Sequence, residues 1–280
     1  MENFKTVYKI ITGRQQTDGA GVKLVRVIGY HDVAEFDPFL MMDAFDSIDP
    51  ADYVNGFPWH PHRGIETVTY LIQGDIEHGD SLGNKGSILD GDCQWMTAGS
   101  GIIHQEMPKA SPRMLGLQLW LNLPAKDKMT VPQYRDLKGD KIPVVTEGEN
   151  TIHILSGNYK GTPGAMEGDY VKPVFLDVKL AENQEWIYKA EPENTLFVYI
   201  LQGEGCFDKT SEENIQEKHA VLFSEGDKVW VKAGAEGVRF VLLTAKPLKE
   251  PVAWGGPIVM NTKEELDLAF RELDEGTFIK

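Results

Sequence analysis

The stretch HPHRGIETVTYLIQGD, His60 to Asp75, decides the fold. Its second half is a run of β-branched, aromatic and aliphatic residues that stops at Gly74-Asp75, the composition and punctuation of a strand entering a turn. In its first half two histidines stand at i and i+2, and an extended chain projects such residues to the same face. Similar runs recur along the chain: KLVRVIGY, LGLQLWLNL, PVFLDVKL, TLFVYILQG and VRFVLLTA, separated by clusters of Gly, Asn, Asp and Pro. This rhythm predicts an all-β, antiparallel chain. One helix interrupts it. Thr262 with Glu265 forms a capping-box signature ahead of LDLAFREL, so a helix is expected over 262–274.

The chain also repeats itself. TYLIQGD (69–75) is echoed by VYILQGE (198–204), and GDCQWMTAG (91–99) by GDKVWVKAG (226–234). Two copies of one β-unit imply a duplicated sandwich or jelly roll. The polar stretch LKGDKIPVVTEGENT (137–151) is the natural linker, giving expected domains 1–137 and 138–280.

Composition narrows the function. The net charge of −15 argues against direct nucleic-acid binding, which needs clustered Lys and Arg on phosphates. No apolar run is long enough to span a membrane, and the N-terminus MENFKTVYKI lacks the apolar stretch of a signal peptide. Two cysteines, Cys93 and Cys206, are too few for a disulfide framework. A cytoplasmic protein with reduced thiols is expected.

The chemistry concentrates in the first repeat. His60 and His62 share a strand face, and GSGIIHQEMP adds His104 and Glu106, again two apart. Two strands offering two ligands each make a pocket for one divalent transition metal. Three imidazoles and a carboxylate suit Fe(II), and equally Ni, Mn, Zn or Cu. Absence of thiolate from the set argues against a closed structural zinc site. Glu66, four residues after His62, competes with Glu106 for the carboxylate role, and parity alone leaves both open. A single His-x-His is common by chance; His-x-His followed by His-x-Glu within one strand-rich unit is far more specific. His31, His78, His153 and His219 lack such partners and read as surface or loop histidines.

These residues resemble the cupin superfamily, whose first motif runs G-x5-H-x-H-x3-4-E-x6-G and whose second contains a Gly-x-x-His step. Gly56, His60, His62, Glu66 and Gly74 follow the first, with a shorter gap before His60 and one extra residue before Gly74; Gly101 to His104 supplies the second. Six segments narrow the match: DPFLMMDAF (37–45), GFPWHPHRGIETVTYL (56–71), GDCQWMTAGSGIIHQEMP (91–108), GLQLWLNLP (116–124), PQY (132–134) and EPV…GGPIVMNTKEEL (250–266). In this order they resemble the pirin family over nearly the whole chain. The resemblance implies two tandem cupin domains with a short C-terminal helix and one iron in the N-terminal cupin. It places the ligands on His60, His62, His104 and Glu106, and leaves Glu66 as a pocket residue assisting Glu106 in proton transfer. The second copy has no His-x-His, so it is expected to be metal-free.

The family resemblance implies an oxygenase of the quercetin 2,3-dioxygenase type, acting on a small aromatic substrate with O₂. It also implies, as the alternative, an iron-dependent regulatory protein that binds a transcription factor or metabolic enzyme. Of the remaining motifs, GDSLGNKG (79–86) lacks the context of a phosphate loop and reads as a hairpin tip. Met96, Met107, Met114, Trp95 and Trp120 read as core, some of them at the pocket mouth. Arg63 has the opposite parity to the histidines and is expected to point away from the metal.

Overall fold

The computed structural model describes residues 3–280. Strands dominate, and the longest helix is Lys263–Asp274, opened by the expected capping box: Glu265 N donates to Thr262 Oγ1 at 3.2 Å, and Thr262 N to Glu265 Oε2 at 3.0 Å. No helix among the described residues is long and apolar enough to cross a membrane.

The strands gather into two compact units. One holds Arg14–Asp140 together with Leu248–Lys280; the other holds the N-terminal residues up to Gly13 together with Lys141–Pro247. The units are therefore not the continuous halves 1–137 and 138–280. Each end of the chain crosses to the other unit, for reasons of strand pairing that a linear reading does not reach.

In the first unit a seven-stranded sheet runs in the order Gln133–Leu137, Cys93–Thr97, Ile65–Gln73, Met114–Asn122, Phe39–Ser47, Val22–Ile28, Arg14–Asp18. A four-stranded sheet, Phe57–His62, Ile102–Pro108, Ile76–Asp80 and Lys85–Ile88, forms the other layer. The second unit repeats this order, with His219–Phe223 and Thr195–Cys206 in the places of Cys93–Thr97 and Ile65–Gln73. Its outer strand is Val7–Thr12, which pairs with His219–Phe223 as Gln133–Leu137 pairs with Cys93–Thr97.

Pairing corrects two details of the sequence reading. Lys228–Lys232 pairs with Glu185–Lys189, the relation that Ile102–Pro108 bears to Phe57–His62, so GDKVWVKAG is not the counterpart of GDCQWMTAG. That echo reflects similar turn chemistry at the strand entry. The supposed linker is itself partly strand: Val144–Glu147 and Asn150–Ser156 form a hairpin around Gly148 at φ 62°. GDSLGNKG is a hairpin tip as expected, with Asp80 Oδ1 accepting the N–H groups of Leu82 and Asn84.

What fills each sandwich differs. In the second unit the strand Glu185–Lys189 turns Trp186 and Tyr188 inward, against Val229 and Val231 from its partner strand. These join Tyr159, Phe207 and Phe240 in a closed core, where each large side chain contributes roughly 1.5–3 kcal/mol by leaving water. In the first unit the equivalent strands turn imidazoles inward instead.

The C-terminal segment packs within that first unit. Gly64, at φ 77°, lies so close to it that an added Cβ would stand 2.0 Å from the Val259 carbonyl oxygen. The buried Lys128 ammonium ties the contact together, donating to Gly64 O (2.8 Å), Val259 O (2.8 Å) and Asn122 Oδ1 (2.5 Å). Arg63 points away from the histidines, as its parity requires. Its guanidinium donates to Ser100 O and Phe278 O, pairs with Glu272 at 2.6 Å and covers the Phe278 ring.

Candidate metal centre

Register places the histidines together. His60 lies directly opposite His104 between Phe57–His62 and Ile102–Pro108, and His62 is opposite Ile102. Alternation along Ile102–Pro108 turns Ile102, His104, Glu106 and Pro108 inward. The ring centroids of His60 and His104 are 4.3 Å apart, and those of His62 and His104 are 5.0 Å apart. One nitrogen from each of the three imidazoles falls within 4.8 Å of the others.

The hydrogen bonds fix which nitrogen faces the centre. His60 Nδ1 donates to Pro58 O at 2.8 Å, and His62 Nδ1 donates to Pro257 O at 3.0 Å. A carbonyl only accepts, so each neutral ring keeps its lone pair on Nε2. Those two Nε2 atoms stand 3.1 Å apart. Two lone pairs at that distance repel unless a proton or cation sits between them. His104 Nε2 is buried with no hydrogen-bond partner. Protons are disfavoured here: burial, then the neighbouring His60, pushes His62 down to about 3. Burial and the surrounding histidines push His104 well below its ordinary value. Three convergent imidazoles, with His62 and His104 resisting protonation and His104 Nε2 unpartnered, fit a divalent cation.

Glu106 is not a member of the three-nitrogen group. A bulge separates it: Glu106 is two residues beyond His104 but opposes Phe57, three residues before His60. Bulges re-aim side chains in this way. Its carboxylate, on a residue 4% exposed, accepts from Gln118 Nε2 at 3.0 and 2.8 Å and from Thr69 Oγ1 at 3.1 Å.

Glu66 does not reach the site. It alternates with Thr67 and Thr69 on Ile65–Gln73, and Thr69 bonds Glu106, so Glu66 occupies the opposite sheet face. There it accepts from its cross-strand partner Thr97 at 2.7 Å. The expectation that it lines the pocket and assists Glu106 is corrected by this parity.

His78 is also not the surface residue the sequence suggested. It is buried on Ile76–Asp80 directly opposite Glu106, hence on the same face. Its ring stacks on Tyr134 at 4.7 Å, and Tyr134 Oη bonds both His78 Nε2 and Asp136. Among the other histidines, His31 is exposed in the short 3-10 helix Tyr30–Asp32, while His153 and His219 sit half-buried on strands.

His60 and His62 open onto a cavity of about 540 Å³, walled by Tyr30, Met41, Phe57, Trp120 and Trp254. Trp120 stands edge-on to His62, centroids 5.0 Å apart. The polar wall is Arg26, donating to Asp43 at 2.9 and 2.8 Å and to Asp18 at 2.9 Å. Burial raises the Asp43 carboxyl while Arg26 opposes that shift. Gln118, Trp254 and Arg26 went unnoticed in the sequence. For Gln118 a signal existed: in LGLQLWL, Gln118 is the one polar residue within an otherwise apolar run.

Two family models match this chain. The model described as Pirin matches residues 21–121, and that described as Pirin C-terminal cupin domain matches residues 175–279. The chain belongs to the pirin family. A pirin-like protein of Caulobacter vibrioides is 40% identical over 277 residues, covering 98% of this chain and 99% of its own. A pirin-like protein of Solanum lycopersicum is 40% identical over 275 residues, covering 97% and 92%. The crystal structure of quercetin 2,3-dioxygenase from Acinetobacter baumannii superposes with a TM-score of 0.89 at 30% identity, covering 98% of each chain. As a pirin, the chain is a two-cupin protein. Both its cysteines are buried and free.

Proposed function

We propose that this pirin is an iron-dependent dioxygenase of the quercetin 2,3-dioxygenase type, with His60, His62, His104 and Glu106 serving the metal. The observation that carries the proposal is the trio of convergent imidazoles, two of which, His60 and His62, line an aromatic cavity of about 540 Å³, a size suited to a flavonol-like planar ring system. The likeness to the Acinetobacter quercetin 2,3-dioxygenase supports it.

A divalent iron held by the imidazoles would supply a Lewis-acidic, redox-active centre with positions open to substrate and O₂. The protein's own work is placement and proton transfer. Trp120, Trp254 and Tyr30 stack and orient the rings of the substrate, and their apolar faces exclude water from the reacting carbon. The Glu106 carboxylate takes the proton from the enolic hydroxyl, since it is the acid turned into the site by the imidazole-bearing strand. Pro58 and Pro257 keep His60 and His62 in the tautomer that leaves Nε2 free.

The test is anaerobic loading with Fe(II), then addition of quercetin and O₂. Oxygen consumption with carbon monoxide release is expected, abolished by Glu106→Ala. An iron-loaded protein inert to quercetin and a panel of other flavonols and enediols overturns the proposal.

A further inference from the structure

The geometry points to Gln118 as a positioning residue that holds the Glu106 carboxylate off the imidazole group, so that metal ligation by Glu106 competes with the Gln118 and Thr69 donors. The inference rests on reading His60, His62 and His104 as a metal site, and adds what governs the fourth side chain.

Gln118 Nε2 donates to both oxygens of Glu106, and Thr69 Oγ1 donates to one of them. Gln118 Nε2 also lies 3.2 Å from Thr69 Oγ1, which makes the three groups one network. The sense of the amide is set from its other end. Trp120 Nε1–H, which can only donate, lies 3.4 Å from Gln118 Oε1. A flipped amide would set its oxygen against the carboxylate and its NH₂ against the indole N–H, both repulsive. The same indole stands against His62, so the residue that orients Gln118 also touches the imidazole group. Gln118 and Thr69 are directly opposed across neighbouring strands, so both donors are built into the rigid sheet rather than a loop.

Both donors are neutral. They satisfy the carboxylate's lone pairs without cancelling its charge, and a cation among the imidazoles competes for the same oxygens. Gln118 therefore sets the balance between a Glu106 that ligates and a Glu106 that is free to take a proton. Its removal strengthens metal binding. A residue that merely filled space, or that steered Glu106 onto the metal, would have the opposite or no effect.

The experiment uses the full-length metal-free protein and Co(II) as the probe, read by competition with a chelator and by the visible d–d spectrum. Wild type, Gln118→Leu, Thr69→Val and Glu106→Gln are compared. Gln118→Leu is expected to bind Co(II) about tenfold tighter, the loss of one charge-assisted hydrogen bond from the competing position. Its spectrum is expected to differ from that of Glu106→Gln more than the wild-type spectrum does, because the carboxylate enters the coordination sphere more fully. Thr69→Val, a gentler change on the same carboxylate, is expected to shift both readouts in the same direction. Weaker or unchanged Co(II) binding in folded Gln118→Leu and Thr69→Val overturns the role of Gln118. Failure of the wild type to bind Co(II) at all overturns instead the metal site on which it rests.

Discussion

His62 donates through Nδ1 to the carbonyl of Pro257, a residue 195 positions further along the chain. The orientation of one imidazole in the cluster is therefore set by the C-terminal segment, and whatever anchors that segment supports the metal centre from a distance. Such outer partners fix tautomer and ring direction, and their loss commonly costs a metal site 10- to 100-fold in affinity.

Arg63 is the first such anchor to test. Its buried guanidinium holds Phe278 O, Ser100 O and the Glu272 carboxylate, bridging the residue after His62 to the final helix. Arg63→Met leaves the Ser100 and Phe278 carbonyls without this donor and Glu272 with Lys280 alone, and is expected to destabilise the fold by about 1–3 kcal/mol. It is also expected to weaken metal binding although it touches no imidazole of the cluster. Urea unfolding and metal titration check this. A loss below about 1 kcal/mol would show that the tail is held by packing alone.

Acid sensitivity follows from the same imidazoles. Burial leaves His62 and His104 with native pKa values below the unfolded value near 6.5, His62 at about 3. Below pH 6.5 the unfolded chain takes up protons that the native state refuses. The stability is thus complete above pH 6.5 and is lost as pH falls toward 3, at about 1.4 kcal/mol per pH unit for each such histidine. Metal-free protein unfolded in urea at pH 6.5, 5.5 and 4.5 is expected to show this slope, and His62→Leu to flatten it by one histidine's share. A pH-independent midpoint over that range would mean that both rings are protonated in the native state.

Much of this centre was legible in the sequence because strands alternate. His60, His62 and His104 needed only parity and antiparallel neighbours to converge, and both were implied by GIETVTYLIQG and GSGIIHQEMP. Parity turned Glu106 inward but could not show the bulge that sets it apart from the imidazole group, and it failed at Glu66, where the strand Ile65–Gln73 had to be distinguished from Phe57–His62. Pro257 contributes only a backbone carbonyl, which leaves no trace in residue type. The exchange of chain ends between units depends on pairing of Val7–Thr12 with His219–Phe223, a contact across more than two hundred residues that no local pattern encodes.

One metal per chain is expected, bound by the first unit alone. The strands of the second unit that correspond to the imidazole-bearing pair place Trp186, Tyr188, Val229 and Val231 inward, and these pack into a core cluster that holds no imidazole, thiol or carboxylate. Elemental analysis of the purified protein should give one equivalent, removed entirely by His104→Ala. A second equivalent surviving in that variant would contradict the assignment.

His62→Ala and Glu106→Ala should differ in kind. His62 is fully enclosed, is fixed by Pro257 O, and offers its Nε2 3.1 Å from that of His60. Its loss removes a preoriented neutral donor and opens a hole beside Trp120, so Fe(II) affinity is expected to fall by at least about 100-fold, and turnover with it. Glu106 already has partners of its own in Gln118 and Thr69, and its bond to a metal is formed at their expense. Removing it is therefore expected to sacrifice little resting affinity, within about tenfold, while it deletes the group proposed to accept the substrate's proton. Iron content measured beside oxygen consumption separates the two variants. Equal iron loss in both, with activity tracking iron alone, would make Glu106 a ligand and nothing more. A Glu106→Ala protein that keeps both iron and turnover would pass the proton to solvent, because the parity of Glu66 puts it on the wrong face of the sheet to receive it.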